Sequence, residues 1–183
     1  GLWMNYNRMY NPNTLFDTEG GYEAFMQFKN NYYFHTNGSV SSRQYNYYEP
    51  RVKGRYYLKP VRYSANFELS TDARKPLSFD AGYGFSTQPA IGTVENAIEI
   101  GANLRLGQQF VFNYEIEGHK SKNERGYVMN NSAGDTITFA RRDVTSAVNT
   151  LSASYIFNYK TSLTLRMRHY WSGVGNKEFY LLQ

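Results

Sequence analysis

Apolar and polar residues alternate with a period of two along most of this chain. Val61, Tyr63, Ala65, Phe67 and Leu69 are apolar, while Arg62, Ser64, Asn66, Glu68 and Ser70 alternate with them. That is the pattern of a β-strand standing between two different environments. It returns in Leu77, Phe79, Ala81, Tyr83 and Phe85, in Ile98, Ile100, Ala102, Leu104 and Leu106, and in Phe110, Phe112, Tyr114 and Ile116. Leu151 to Tyr159 and Leu163 to Trp171 repeat it. Each run approaches the roughly 9–11 residues of a tilted strand that crosses a membrane. Weaker strands are read at Leu2 to Tyr10, Tyr22 to Phe28 and Tyr32 to Val40. The phase is untidy from Thr145 to Asn149, where a bulge or the edge of a membrane is expected.

The connections separate into two kinds. Lys29-Asn30-Asn31, Thr71 to Pro76, Gly107 to Gln109 and Asn158 to Thr161 read as tight turns. Asn11 to Gly21, Ser41 to Lys59, Thr87 to Val94 and Lys120 to Asp135 read as longer connections. Short and long alternate, which puts all tight turns at one rim of an antiparallel meander and all long loops at the other. Outer-membrane barrels have this layout, with the short turns periplasmic. A soluble up-and-down barrel also alternates. Two features favour the membrane: aromatic residues near strand ends, such as Phe110, Phe112, Phe157, Tyr159, Tyr170 and Trp171, and polar faces rich in ionisable groups. The first suits an interfacial girdle and the second a wet lumen.

Composition narrows the class further. The 183 residues include 18 Tyr and 12 Phe but no Cys, so the balance favours strands and excludes a disulfide scaffold or Cys-ligated zinc. No run approaches the ~18 consecutive apolar residues of a membrane helix. The net charge of +5 is spread along the chain, which reads as a mixed solvated surface rather than a polyanion-binding patch. The N-terminus lacks a basic segment followed by an apolar one, so any signal peptide is expected to be removed or to lie outside residues 1–183.

Several stretches resemble a family of uncharacterised outer-membrane barrels from Bacteroidota. They include Gln27-Phe28-Lys29-Asn30-Asn31, Gly54-Arg55-Tyr56-Tyr57, Phe139-Ala140-Arg141-Arg142-Asp143, Asn149-Thr150-Leu151-Ser152 and Arg168-His169-Tyr170-Trp171-Ser172. Full-length members of that family carry an N-terminal domain resembling family-nine carbohydrate-binding modules. The resemblance implies a bacterial outer-membrane location and a link to glycans. It also implies that the N-terminal domain and the C-terminal end of the barrel lie outside this chain. It assigns no reaction.

The candidate chemistry is sparse. Glu115 and Glu117 share a face about 7 Å apart along a strand, a spacing that paired carboxylates use in glycoside hydrolysis. Nothing nearby supplies the apolar pocket that would split their acidities, and a polar lumen wall is the simpler reading. His35, His119 and His169 form no zinc motif. The stretch from Asn130 to Asp135 lacks the spacing of a calcium loop and reads as turn residues. Gly82 and Gly84 lie within a strand, where close packing or lumen space explains them. From Arg43 to Tyr57, cations interleave with tyrosines, which suits a lipid-headgroup girdle, a partner protein, a sugar or, least, a nucleic acid.

The sequence therefore predicts an all-β, antiparallel up-and-down transmembrane β-barrel segment of about nine or ten strands over residues 1–183. The function expected is a transporter, a surface scaffold or a subunit of an envelope complex, with no enzyme activity and no catalytic residue, cofactor or metal. A barrel hydrolase acting on lipid or sugar and a soluble ligand-binding β-barrel are the alternatives. Arg62, Glu68, Asp80, Glu99, Arg105, Glu115, Glu117, Arg166 and Arg168 are expected to line the lumen, arginines balancing acids. Tyr47, Tyr48, Arg51 and Tyr56 are the candidate contacts for a partner protein or surface glycan. Outer-membrane lipid is the expected partner, together with other envelope proteins or glycan, and no nucleic acid.

Overall fold

The computed structural model describes residues 1–11, 13–131, 133 and 136–182. Nine strands follow one another as an antiparallel meander: β1 (Leu2–Met9), β2 (Thr14–Gln27), β3 (Tyr33–Ser41), β6 (Arg62–Ser70), β7 (Leu77–Gln88), β8 (Thr93–Leu106), β9 (Phe110–Asn130), β10 (Ile137–Asn158) and β11 (Thr161–Leu181). Two short strands, β4 (Gln44–Asn46) and β5 (Tyr57–Lys59), form a separate small sheet inside the β3–β6 connection. β1 and β11 each pair on one side only, so the sheet is open.

Register turns the alternation along each strand into two continuous faces. One row runs Phe67, Tyr83, Ile98, Gly118, Ala147, Trp171, and another runs Leu77, Leu104, Phe112, Ala153, Leu165. Phe67, Phe79, Ile100, Phe112 and Leu165 all belong to this apolar face. Its polar exceptions include Asn149, which accepts a hydrogen bond from the Tyr114 hydroxyl at 2.9 Å, and His169. The opposite face runs Ser64, Ser86, Glu95, Ser121 and Glu68, Gly82, Glu99, Glu117. No second layer covers the apolar face: only six apolar side chains are buried among the described residues, Pro50, Tyr57, Ile137, Phe139, Ala140 and Val148.

Four tight turns gather at one rim, as the sequence predicts, two of them helped by backbone at positive φ, at Asn31 (60°) and Gly107 (63°). The other rim differs from expectation. Most of the stretches read as loops at Asn11 to Gly21 and Lys120 to Asp135 continue β2 and β9, and only Pro89–Ile91 interrupts Thr87 to Val94, as a 3-10 turn. Polar residues there pair as strand because their partners also extend, so polarity was a poor guide to loop. The irregularity expected at Thr145 to Asn149 is absent. The register shifts lie just before it, between Arg142 and Val144 against β9 and between Arg141 and Arg142 against β11. Asn123 takes φ 55° opposite Asp143, whose carboxylate accepts its N–H at 2.9 Å.

Candidate functional site: the polar face and the loop across its rim

Alternation within each strand, combined with cross-strand register, brings the polar side chains of distant segments into contact. Arg62 donates to Ser86 Oγ at 3.0 Å and to Glu95 Oε2 at 2.9 Å. Ser39 and Ser41 both donate to Glu19 Oε1, at 2.7 and 3.0 Å. Asn66 donates to Asn37 at 2.9 Å, and Asn103 donates to Asn113. His35 bridges two carboxylates, with Nε2 3.0 Å from Glu23 and Nδ1 3.4 Å from Glu68. These ladders satisfy polar groups across strands without an apolar core beneath them.

All nine residues expected to line a lumen fall on this face, where the arginines and the named acids do not pair directly with one another. Arg62 pairs with Glu95 rather than with any of the five named acids. Glu68, Asp80, Glu99, Glu115 and Glu117 sit on the neighbouring strands β6 to β9, with Glu99 directly opposite Glu117. Arg105 lies near the turn end of β8, and Arg166 and Arg168 lie two strands from Glu115, on the edge strand β11. Among the described residues the side chains of these three arginines make no ion pair or hydrogen bond. The reason is register: each arginine faces a neutral partner, Val111, Ser152 or Thr150 respectively.

Three of these acids, Glu68, Glu99 and Glu117, line with His119 a hollow of about 240 Å³ that opens on the polar face. Gly82 and Gly84 keep it open. A Cβ at Gly84 would come within 2.8 Å of Asn66 Oδ1, and one at Gly82 within 3.4 Å of the Glu99 side chain. Glu115 and Glu117 share this face, yet no histidine hydrogen-bonds a serine hydroxyl among the described residues. Nor do three or more His, Asp or Glu side chains among them converge as metal ligands. The turn from Asn130 to Asp135 lies partly outside the described residues, at Ser132, Gly134 and Asp135.

The Ser41 to Lys59 segment is a long connection, and it folds back across the rim. Glu49 Oε1 accepts the Tyr127 N–H at 3.1 Å, and the Arg55 guanidinium donates to the Leu182 carbonyl at 3.1 Å. The Arg51 guanidinium lies 4.6 Å from the Tyr127 ring centre, and the Tyr57 ring lies 5.2 Å from that of Phe139. Pro50, Ile137 and Phe139 are wholly buried in this contact. Burial pushes the Tyr57 hydroxyl up, against the opposing pull of Arg125.

The candidate contact set divides accordingly. Tyr48 is 77% exposed and belongs to the outer surface. Tyr56 is exposed and packs edge-on against Tyr45 at 5.2 Å and tilted against Tyr47 at 5.3 Å. Arg51 is engaged with Tyr127, which makes it a fastening of the segment as much as a contact for anything outside. Sequence reasoning missed Glu95, Glu19, Glu23, His35, Glu49 and Arg55. Only the register of strands distant in sequence reveals the first four, and only the folded-back loop reveals the last two.

Compared with known proteins, residues 1–183 match a family described as a domain of unknown function, DUF5916. No curated protein and no solved structure matches.

Proposed function

The chain belongs to the DUF5916 family along its whole length, and from that premise and the geometry above we propose that it forms the wall of a transmembrane β-barrel in a bacterial outer membrane. The apolar face meets lipid and the polar face lines a water-filled interior. The observation that carries this reading is the inverted distribution of side chains. Phe67, Phe79, Ile98, Ile100, Leu165 and Met167 are each 42–57% exposed on one continuous face, while charged groups occupy the opposite face. A soluble sheet would bury such a face under a second layer, because exposed apolar patches beyond a few hundred Å² are rare. The nine residues from Leu163 to Trp171 also match the roughly 9–11 of a membrane-crossing strand.

The polarity of the hollow argues against a soluble ligand-binding barrel, whose apolar side would face inward. Among the described residues no histidine hydrogen-bonds a serine hydroxyl, so the hydrolase reading gains no support from them. Within the membrane reading, the acid-lined interior and the tyrosine-rich rim suit a transporter, a surface scaffold or a subunit of an envelope complex. The glycan link rests on the family resemblance and on the exposed Tyr48 and Tyr56.

The test is fractionation of cells that make the protein. It should sediment with outer membranes, resist alkaline carbonate, and migrate differently in SDS gels before and after heating. Release into the soluble fraction as a folded β-protein would overturn the proposal.

A further inference from the structure

Where the Ser41 to Lys59 segment crosses the rim, it and the sheet enclose a second hollow, of about 120 Å³. Three strands meet there: the end of β5 brings Lys59, the end of β7 brings Gln88, and β9 brings Glu124 and Arg125. This hollow shares no residue with the one beside Glu68, Glu99 and Glu117.

The polar groups around it are unevenly engaged. Each carboxylate of the lining already has a donor. Glu49 accepts the Tyr127 N–H at 3.1 Å, Glu95 accepts from Arg62 at 2.9 Å and from Ser86 at 2.7 Å, and Glu124 accepts from Arg142 at 2.8 Å. The donors are another matter. Among the described residues the Lys59 ammonium and the Gln88 amide make no hydrogen bond or ion pair. Arg125 stands beside the Tyr57 hydroxyl and 5.4 Å from the Tyr180 ring centre. It has no carboxylate partner, and its buried Nε makes no hydrogen bond. With Arg62 and Arg142 included, four cations meet three acids, so the cluster is left with one positive charge in excess.

Size and shape narrow what would answer these donors. A dry cavity of about 150 Å³ admits benzene, with its six heavy atoms, so the rim hollow suits a group of roughly five. Donors arriving from three strands fit the tetrahedral oxygens of a phosphate better than the single plane of a carboxylate, and guanidinium and ammonium are its usual partners.

We propose that the rim hollow is a binding site for a phosphate group, held by Lys59, Gln88 and Arg125. The group is inorganic phosphate or the phosphate end of a lipid headgroup. Because Lys59 belongs to the rim segment and Arg125 to β9, the bound anion ties one to the other and holds the segment down. The inference goes beyond the membrane reading and does not depend on what meets the apolar face.

Phosphorus NMR of the purified protein in non-ionic detergent, titrated with inorganic phosphate at constant ionic strength, reads binding directly. Proteolysis of the Ser41 to Lys59 segment reads the tie. Phosphate should bind saturably, and at about ten times its dissociation constant it should slow cleavage about tenfold, since only the released segment is cut. Lys59→Gln, which removes no side-chain hydrogen bond of the described structure, should weaken binding roughly tenfold or more, the effect of losing one charge-assisted contact. Arg125→Gln should do the same, and Lys53→Gln, on an exposed part of the same segment, should leave binding intact. A short-chain phosphatidic acid that protects at far lower concentration than inorganic phosphate assigns the site to a lipid headgroup, and equal potency assigns it to free phosphate. No saturable binding of either, equal protection by chloride at matched ionic strength, or unchanged affinity in Lys59→Gln would each overturn the proposal.

Discussion

Arginine at Phe79 is the sharpest perturbation of the two-faced sheet. Phe79 shares a row with Ala102, Tyr114, Leu151 and Met167. That row lies two side-chain steps from Leu163 on the turn side and two from Trp171 on the other, roughly 13 Å along the strand each way at ~3.3 Å per residue. It is therefore the mid-depth of the apolar band. Phe79→Arg should cost about 2–4 kcal/mol, whereas Leu163→Arg at the band edge should cost about 0–1 kcal/mol. Asn103→Arg, on the polar face at nearby depth, should cost only about 1 kcal/mol, the order of the hydrogen bond that Asn103 gives to Asn113. The assay is guanidinium unfolding of protein purified from its membranes and reconstituted in lipid vesicles. Equal penalties at Phe79 and Asn103, or at Phe79 and Leu163, would refute the assignment of the apolar face to lipid.

Three further outcomes are expected. Phe139→Ala removes the largest wholly buried side chain and should cost about 3–5 kcal/mol, read as faster proteolysis of the Ser41 to Lys59 segment, and unchanged cleavage would count against the packing described. Asp72 accepts hydrogen bonds from the Arg74 backbone and guanidinium, which hold its carboxyl at about 2, below the ~3.9 of an unfolded chain. The stability contributed by this turn should be complete above about pH 4 and fade as pH falls through the folded value, and Asp72→Asn should flatten that acid limb in a pH titration of unfolding. Tyr48→Ala should leave segment proteolysis unchanged but weaken partner or glycan retention, while Arg51→Ala should speed proteolysis by releasing Tyr127. Equal proteolysis of the two variants would contradict the division between outer surface and fastening.

The strands of the central sheet were legible because phase and composition agreed there. From Val61 to Leu69, Leu77 to Phe85 and Ile98 to Leu106 every second residue is apolar, and a single-residue slip would expose the whole set to the wrong environment. Beyond the band this pressure ends. Lys120 to Arg125 is polar on both faces, so nothing in its pattern separated strand from loop, and its pairing with β10 follows from the length of its neighbour. Membership of the polar face was readable residue by residue, whereas pairing upon it was not. Arg62 meets Glu95 because register slants neighbouring rows past each other, and sequence distance carries no trace of that. The tyrosines from Tyr45 to Tyr57 were visible as a cluster. Their division between surface and fastening depends on Phe139 and Tyr127, some 70 to 80 residues later.

The meander and the rim segment differ in when they can form. Each strand of the large sheet pairs with its predecessor, the short β4–β5 excursion aside, so closing one hairpin requires little chain beyond it and the sheet can grow in order of synthesis. The ties from Glu49 to Tyr127 and from Arg55 to Leu182 span 78 and 127 residues, and such contacts carry the entropy of closing long loops. They become available only after β9, β10 and β11 are in place. The rim segment thus acts as a late clasp: it closes on β9, β10 and β11 once they have paired, and until then its tyrosines stand free.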